Sequence, residues 1–380
     1  MDFSWTEEQS IFVDSFRKFL AGEVAPLVDP CEAKHRFPVE LFPKFGRMGY
    51  LGIAYPEEVG GMGLGYLTLT LFAEELGKVN SGFAGSILAH MSIATLPVFL
   101  LGSEELKERI LRPALRGEKI GAFGLTEPGA GSDAASIRTR ARKVDGGYVL
   151  QGSKTFITNG PFADYVTVGA QAAPEKKAKG ITLFVVERGT PGFTQGPPIP
   201  KLGNHSSECG ELSFEECFVP DAQRLGAEGE GFRTLMDALN GGRMVVGARS
   251  VGVAQAACEA ALKYSREREQ FGRPIFEFQL IQSKLARMRM EIEASRLLCL
   301  RAAWLRDRGE NCILEASLAK LKATETAVWV TGEAVQVLGG YGYMDEYPVE
   351  RFFRDAKAMT IIEGTSEIQQ LIIARRLAET

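Results

Sequence analysis

The chain has 380 residues and a net charge of −4, from 44 lysine and arginine residues against 48 aspartate and glutamate residues. This small, mixed charge argues against a nucleic-acid-binding protein, because phosphate contacts need clustered basic residues. Hydrophobic residues make up 45% of the chain, which argues against extensive disorder. The length favours two or three globular domains.

Residues 1 to about 118 are predicted to form a helical domain. Thr6 and Gln9 have the spacing of a capping box at the start of a first helix. Apolar periodicity, with proline and glycine between the segments, predicts further helices near residues 41–48, 67–76 and 104–115.

Residues 119–227 are predicted to form a β-domain. Short β-branched or aromatic runs follow one another, separated by turn residues. They lie at 148–152, 154–158, 165–169 and 181–186. This pattern predicts an antiparallel barrel or sandwich.

Residues 228–380 are predicted to form a helical bundle. Apolar and small residues alternate spacings of four and three along one segment, which is typical of a bundle seam. The seam residues are Ile281, Leu285, Met288, Ile292, Ser295, Cys299 and Ala302. Two more helices are predicted at 328–338 and 366–377. The fold class is therefore multidomain α+β, and the absence of a βαβ alternation disfavours a parallel nucleotide-binding sheet.

The numbers of glycine, cysteine and histidine residues limit the kinds of site that the chain can form. Glycine accounts for 42 of the 380 residues, which is more than the usual roughly 7%. The glycine clusters predict tight turns or close approach of the backbone to a ligand. Six cysteines without a CxxC pair predict reduced thiols, and three histidines make a metal site unexpected.

No secretory signal peptide is predicted, so a cytoplasmic location is expected, or the mitochondrial matrix for a processed eukaryotic chain. The longest apolar run, residues 86–101, is interrupted by His90, Ser92, Thr95 and Pro97. A membrane span needs about 20 apolar residues, so none is expected.

A glycine-rich turn matches the G-x-G-x-x-A pattern at residues 129–134. A dinucleotide-binding fold needs a helix directly after this pattern, whereas the residues that follow favour a strand. We therefore reject that fold here. The turn is either a structural turn or a nest of backbone N–H groups that holds a pyrophosphate.

Two other segments allow a functional and a structural interpretation. Strand periodicity places Lys154, Phe156 and Thr158 on one face, which either covers a flat cofactor or contributes an ordinary core phenylalanine. The segments 266–272 and 335–342 are predicted helix ends, where glycine serves as a stop or allows a close neighbour.

Glu363 is the candidate general base. It follows the largely apolar residues 358–362, and apolar surroundings raise the pKa of a carboxyl group, as a proton-abstracting base requires. Ser366 and Gln369 have the spacing of a capping box for the last helix. The alternative role of Glu363 is to interact with the dipole of that helix.

Taken together, these motifs resemble those of acyl-CoA dehydrogenases, the FAD-dependent enzymes that desaturate acyl-CoA thioesters. The matching motifs are PEEVGG at 56–61, LTEPGAGSD at 125–133, GSKTFITNG at 152–160, KLG at 201–203, REQFG at 268–272, QVLGGYG at 336–342, RDAK at 354–357 and EGTSEIQ at 363–369. The resemblance implies a helical domain, a β-domain and a four-helix bundle in a homotetramer. FAD would lie between the β-domain and the bundle, and electrons would pass to an electron-transferring flavoprotein.

The resemblance also implies the site residues. The cofactor-binding positions are Phe123, Leu125, Thr126, Gly131, Ser132, Phe156, Thr158, Arg268, Gln270, Phe271, Gln336, Gly339, Gly340, Thr365 and Glu367. Of these, the segment 268–271 matches one that reaches the FAD of a neighbouring subunit. The substrate-binding positions are Ser132, Asn240, Arg243, Ile362 and Gly364.

Glu363 matches the family's catalytic base, which removes the α-proton while the β-hydrogen leaves as hydride to the flavin, giving a trans-2-enoyl-CoA. In the family, the base's own N–H and a flavin ribityl hydroxyl bind the thioester oxygen. Some relatives, including isovaleryl-CoA and long-chain enzymes, carry the base just before the arginine that Arg243 matches. Gly242 stands there and cannot act as a base, so the chain is most similar to the short-chain branch.

Three positions depart from the family pattern. Asn240 stands where aspartate is common, Phe156 replaces a usual tryptophan, and Ile362 replaces a tyrosine common before the base. These departures change the predicted pocket wall and allow a substrate with a short, branched or cyclic acyl chain. Alternative roles on the same fold are an acyl-carrier-protein-linked dehydrogenase, an enoyl-CoA reductase or an oxidase. The intact Glu363 and flavin motifs argue against a non-catalytic member.

Overall fold

The computed structural model describes residues 5–379, and its first part is helical, as predicted. Its helices are α1 (Glu7–Phe19), α2 (Val28–Lys34), α3 (Leu41–Arg47), α4 (Gly65–Val79), α5 (Ser81–Ala89), α6 (Leu96–Leu101), α7 (Glu104–Leu106) and α8 (Arg112–Leu115). The capping box at Thr6 and Gln9 is present, with both reciprocal hydrogen bonds. The helix predicted over 104–115 is interrupted by a π-helical turn at Lys107–Leu111.

The middle part is a sheet of eight strands. They are β1 (Gly121–Gly124), β2 (Arg140–Val144), β3 (Gly147–Thr158), β4 (Tyr165–Gln171), β5 (Ile181–Glu187), β6 (Phe193–Gln195), β7 (Cys209–Pro220) and β8 (Arg224–Leu225). The strand order is β6-β7-β3-β2-β4-β5-β8, with β1 beside β4. Most pairs are antiparallel, as predicted, but β2 pairs with β4 in parallel at Arg140 and Gln171, and β1 runs parallel to β4 over four residues. The β1–β4 pair joins strands distant in the chain, so local turn signals could not reveal it.

The last part is a helical bundle with a small hairpin. Its elements are α9 (Gly231–Glu267), β9 (Glu269–Gln270), β10 (Arg273–Pro274), α10 (Gln279–Asp307), α11 (Ile313–Leu338), α12 (Val349–Met359) and α13 (Ser366–Leu377). The predicted seam lies on α10, and all its residues are buried except Ile281, which packs against the same core while partly exposed. The small residues allow close packing: the α-carbon of Gly247 on α9 has no β-carbon, and one there would lie 2.9 Å from Cys299 Sγ.

One apolar segment, Ser81–Leu101, is long and apolar enough to cross a membrane by length and composition, contrary to expectation. Within the described residues, however, 67% of its most apolar window is buried inside the protein. Its polar side chains are satisfied within the fold. Ser92 Oγ donates to Leu88 O and Thr95 Oγ1 to Met91 O, so these residues do not interrupt the helical segment.

Candidate active site

The candidate base lies in a tight turn between α12 and α13. Glu363 has φ +53° and Gly364 has φ +94°, two successive residues in the left-handed region. A non-glycine residue in this region is held there by its surroundings at a cost of about 1–3 kcal/mol. This turn points the Glu363 side chain at α9, where a β-carbon on Gly242 would lie 1.9 Å from Glu363 Oε2. The carboxyl therefore occupies the space that the absent side chain of residue 242 leaves.

The Glu363 carboxyl is buried although the residue as a whole is partly exposed. Its Oε2 has no hydrogen-bond partner among the described residues. Burial raises the pKa of Glu363 to about 7, against the opposing charges of Lys320, Arg243 and Arg249. This is the direction predicted from the apolar neighbours, and it suits a group that must accept a proton near neutral pH.

The start of α13 differs from the prediction. The capping residue is Thr365, whose Oγ1 accepts from the amide of Ile368, and Ser366 is the first helical residue. The predicted Ser366–Gln369 capping box is therefore wrong by one residue, since adjacent hydroxyl residues offer the same local signal. Gln369 instead donates through Nε2 to Gly364 O (3.0 Å) and Glu363 O (3.4 Å), so it supports the base turn.

Asn240 and Arg243 lie on α9 beside Gly242, and both are buried. Arg243 Nη1 donates to Asn240 Oδ1 at 2.6 Å. Arg243 Nε is buried and has no hydrogen-bond partner within residues 5–379, so the guanidinium keeps a donor for a ligand. Asn240 thus orients Arg243 in the manner that a carboxylate would, but without adding a charge. Ser132, another of the predicted substrate-binding residues, is exposed in its turn, and a role that it shares with Arg243 stays a prediction.

The predicted flavin-binding segments of β1 and β3 lie side by side. Thr155 N donates to Thr126 O at 2.9 Å, and Lys154 Nζ donates to Leu125 O at 3.1 Å. Lys154 also pairs with Glu127 at 2.7 Å. Burial opposes ionisation of Glu127, but Lys154, Thr139 and the amide of Arg138 together lower its pKa. Phe123, Leu125 and Thr126 are thereby fixed next to the end of β3.

The strand face predicted for Lys154, Phe156 and Thr158 is not continuous. Lys154 is fully buried, whereas Phe156 is 66% exposed. A β-bulge between Lys154 and Ile157, with Phe156 at φ +59°, shifts the alternation of side chains. Phe156 and Thr158 still share the outer face, and Lys154 serves instead as the buried anchor of residues 125–127, which follow β1. The exposed aromatic ring is available to cover a flat ligand.

The glycine-rich turn at 129–134 is followed by a single 3₁₀ turn, Ala134–Ser136, and then by β2. A dinucleotide-binding helix is absent there, as predicted. A β-carbon on Gly131 would meet no atom within 4 Å, so the backbone faces open space.

Four predicted cofactor-binding residues line one groove of about 530 Å³ at the end of the bundle: Arg268, Gln270, Gly339 and Gly340. The Arg268 guanidinium lies 5.8 Å from the centre of the Tyr341 ring, which also lines the groove. Gly340 faces open space, and Gly339, with φ +62°, ends α11. Gln336 is exposed on the last turn of α11 and is not a lining residue.

The segment after α9 is a β-hairpin rather than a glycine-terminated helix end. Helix α9 ends at Glu267, and Phe271 and Gly272 form the two-residue turn between β9 and β10, with φ +54° and +80°. Phe271 is consequently 94% exposed in the single chain.

Near the base, the remaining predicted residues occupy distinct positions. Ile362 is 36% exposed, directly before Glu363. Glu367 is exposed in the first turn of α13, where a hydrogen bond with Thr365 lowers its pKa. Contacts of Thr365 and Glu367 with FAD stay predictions.

Comparison with known families identifies the architecture. Residues 6–118 match the acyl-CoA dehydrogenase N-terminal domain, residues 122–217 the middle domain and residues 229–378 the C-terminal domain. The chain belongs to the acyl-CoA dehydrogenase family. The predicted family, the three-part α+β fold and the oxidoreductase class are confirmed.

Similar acyl-CoA dehydrogenase family proteins are related over their whole length. The chain is 45% identical to an acyl-CoA dehydrogenase of Bacillus subtilis, covering 98% of each chain. It is 44% identical to a benzylmalonyl-CoA dehydrogenase of Aromatoleum aromaticum over 100% of both chains. It is 42% identical to an acryloyl-CoA reductase (NADH) of Anaerotignum propionicum, covering 99% of this chain and 96% of the relative.

Solved structures show the same agreement. Butyryl-CoA dehydrogenase from Megasphaera elsdenii has a TM-score of 0.97 at 43% identity over 100% of both chains. A chain solved in work on the electron-transferring flavoprotein of Acidaminococcus fermentans has a TM-score of 0.98, also at 43% identity over 100% of both chains. The FAD complex of PigA has a TM-score of 0.96 at 32% identity, covering 100% of this chain and 99% of PigA. These relatives support the predicted flavin cofactor.

The structure gives roles in this acyl-CoA dehydrogenase site to residues for which the sequence predicted another role or none. Gly242 was noted only as unable to be a base, whereas it provides the space for the Glu363 carboxyl. Lys320 and Gln369 both donate to Gly364 O, and Glu127 pairs with Lys154. For Lys320 a signal exists: it falls in a buried helical stripe with Ala316, Ala323 and Ala327.

Proposed function

We propose that the chain is an FAD-dependent acyl-CoA dehydrogenase that uses Glu363 to remove the α-proton of an acyl-CoA thioester. One observation carries the proposal: Glu363 Oε2 is buried without a hydrogen-bond partner among the described residues, and the carboxyl is held in a strained turn against a glycine. Burying a carboxylate oxygen without a partner costs free energy, and such costs are concentrated at functional sites. Proton abstraction uses such a group, since it is close, oriented and partly desolvated.

The residues of the chain divide the work as follows. Glu363 accepts the α-proton at its carboxylate, while Lys320, Arg243 and Arg249 favour the ionised form before transfer. Within the described residues, the amide of Glu363 donates no hydrogen bond, which leaves it free for a thioester oxygen that gains negative charge. When bound, FAD supplies the acceptor for the β-hydride. The thioester thus loses one proton and one hydride and becomes a trans-2-enoyl-CoA.

The residues present fit a flavin dinucleotide. The open backbone at Gly131, the exposed face of Phe156 and the groove at Arg268 and Gly340 provide a polar nest, an aromatic cover and a basic groove. Phe123, Leu125, Thr126 and Thr158 are held beside these features by the links between β1 and β3. Gln270, Gln336, Gly339, Thr365 and Glu367 complete the proposed contacts.

Anaerobic titration with short, branched, cyclic and medium-length acyl-CoAs tests the proposed function. Loss of flavin absorbance with one class is expected and would also identify the acyl chain that the region near Ile362 accepts. A bound flavin that no acyl-CoA reduces would contradict the proposal. A carrier-protein-linked substrate or the reductase direction, which the acryloyl-CoA reductase relative favours, would then be tested with a loaded carrier protein and with enoyl-CoA. Rapid reoxidation by air would indicate an oxidase.

We further propose that electrons pass to an electron-transferring flavoprotein and that the chain forms a homotetramer. The exposed Phe271 at the tip of its hairpin and the open groove beside Arg268 favour completion of the FAD site by a second subunit. The proposed domains are residues 1–118, 119–227 and 228–380, the last carrying the base.

Arg268→Ala is expected to weaken FAD retention, because it removes a cation from the groove proposed to bind the dinucleotide. The flavin-to-protein absorbance ratio after gel filtration measures this effect. Arg308→Ala, which removes an exposed arginine paired with Glu310, is the matched control. Equal FAD retention in both variants and the wild type would count against the Arg268 contact.

The rate of flavin reduction is expected to rise with pH through about 7 and then level off. Burial raises the pKa of Glu363 to about 7, and only the ionised carboxylate accepts the α-proton, so protonation below that pH removes activity. Single-turnover reduction measured across this range checks the prediction. An acidic limb near the ordinary carboxyl value of about 4.3 would show that the reacting base is not desolvated.

A further inference from the structure

Lys320 is a buried lysine on α11 whose role is not explained by packing. Its side chain is 0% exposed and lies in the stripe formed by Ala316, Ala323 and Ala327. Burying an ammonium group is expensive unless other groups compensate for lost water. An apolar side chain of similar length would fill the stripe at a lower free-energy cost, so the buried charge indicates a specific interaction.

That interaction is with the turn that carries the proposed base. Lys320 Nζ donates to Gly364 O at 2.7 Å, and Gln369 Nε2 donates to the same oxygen at 3.0 Å. A carbonyl oxygen has two lone pairs, and these two donors use both. The peptide between Gly364 and Thr365 is therefore held from α11 and from α13, and it fixes the left-handed turn that directs the Glu363 carboxyl at Gly242.

The charges around this turn come from three helices. On α9, Arg243 and Arg249 are cations that act on Glu363. The carboxylates of Glu325 on α11 and Glu367 on α13 act through their charge on Lys320. Among the cations that oppose the desolvation of Glu363, Lys320 acts most strongly. Arg249 is already engaged, since it donates to Ser81 Oγ and Asn204 Oδ1.

We propose that Lys320 is a positioning residue for the reaction, which fixes the Glu363–Gly364 turn through the Gly364 carbonyl and keeps the Glu363 carboxylate ionised through its charge. This proposal rests on the proposed function of Glu363. Lys320 does not reach the reacting atoms, and its effect passes through the turn and the electric field at the base. Consistent with its burial, the pKa of Lys320 is lowered to about 8, so the lysine is still mostly charged at neutral pH.

The test compares Lys320→Met, which removes the donor and the charge, with Lys320→Arg, which keeps both. Each purified FAD-loaded variant is mixed anaerobically with an acyl-CoA that reduces the wild type, and flavin reduction is followed across pH. In Lys320→Met, the rise of the reduction rate with pH (the acidic limb of the profile) is expected to move to higher pH, because the ionised Glu363 loses a neighbouring cation. A displacement of one pH unit lowers the rate on the acidic side about tenfold. Lys320→Arg is expected to keep the limb near its wild-type position.

Lys322→Met is the matched control, because it removes a lysine from the same helix that pairs instead with Glu291 on α10. Its profile is expected to match the wild type. If Lys320→Met does not fold, Lys320→Gln replaces it: this variant keeps an N–H donor but loses the charge, so the limb must still move. A wild-type acidic limb and rate in Lys320→Met or Lys320→Gln would overturn the proposal.

Parallel measurement of Glu363→Gln separates the two proposals. If Glu363→Gln abolishes flavin reduction but the Lys320 variants have a wild-type profile, only the role of Lys320 is wrong. If Glu363→Gln reduces its flavin normally, Glu363 is not the base, and the role proposed for Lys320 is overturned with it.

Discussion

Glu363→Gln is expected to retain FAD and fold but to lower the rate of flavin reduction by roughly 10²–10⁴-fold, the usual contribution of a general base. Glutamine has the size of glutamate and can occupy the space beside Gly242. It cannot accept a proton, however, so the α-proton of the thioester has no acceptor. Anaerobic stopped-flow reduction by an acyl-CoA, with flavin content and melting temperature measured in parallel, provides the comparison.

Glu367→Gln is the control for this experiment, because it removes the same charge by the same exchange close to the start of α13. It neutralises an exposed carboxylate in the first turn of α13, four residues from the base. Because Glu367 is itself a proposed flavin contact, its flavin content is expected to be the more sensitive property, whereas reduction of the flavin that remains bound should continue. Near-normal flavin reduction in Glu363→Gln would contradict the assignment of the base.

Gly242→Ala is expected to lower the rate of flavin reduction by about 10²-fold, because a β-carbon there would lie 1.9 Å from Glu363 Oε2 and must displace the carboxyl. Misplacing a reacting group by about 1 Å has an effect of this size. Alanine favours a helix over glycine by about 1 kcal/mol, so weakened helix formation in α9 would not explain the loss. The measurement is single-turnover flavin reduction at saturating acyl-CoA.

Gly332→Ala on α11 makes the same exchange where there is room. Its β-carbon would lie 3.5 Å from the Phe353 ring, an ordinary van der Waals distance. Activity equal to the wild type is expected there. A Gly242→Ala variant as active as Gly332→Ala would show that the carboxyl reacts from a position other than the one beside α9.

Local patterns in the sequence were sufficient for much of the fold. The capping box at Thr6, the seam on α10 and the change from helical to strand periodicity each depend on residues close together in the chain. Helix starts were less secure where two capping residues stand side by side, as with Thr365 and Ser366. The expectation that polar residues interrupt the apolar run 86–101 was corrected by the structure. Ser92 and Thr95 donate to carbonyls of their own helical segment and do not interrupt it.

The β-bulge at Phe156 shows why strand periodicity was only partly correct. Alternation predicts one face for Lys154 and Phe156, but the inserted residue reverses the phase between them. The residues of this short segment give no local signal that predicts the bulge. It becomes necessary once Lys154 is drawn inward to Glu127 and Leu125, on a neighbouring segment.

The sequence by itself determined the order of the three parts, the family and Glu363 as the candidate base, since motifs and periodicities are properties of neighbouring residues. Only the tertiary structure decided how the base is held. Gly242, Lys320 and Glu363 lie on separate elements, and packing of α9, α11 and the turn before α13 brings them together. The pKa of Glu363 follows from that packing, because desolvation and the charges of distant residues act through space and not along the chain.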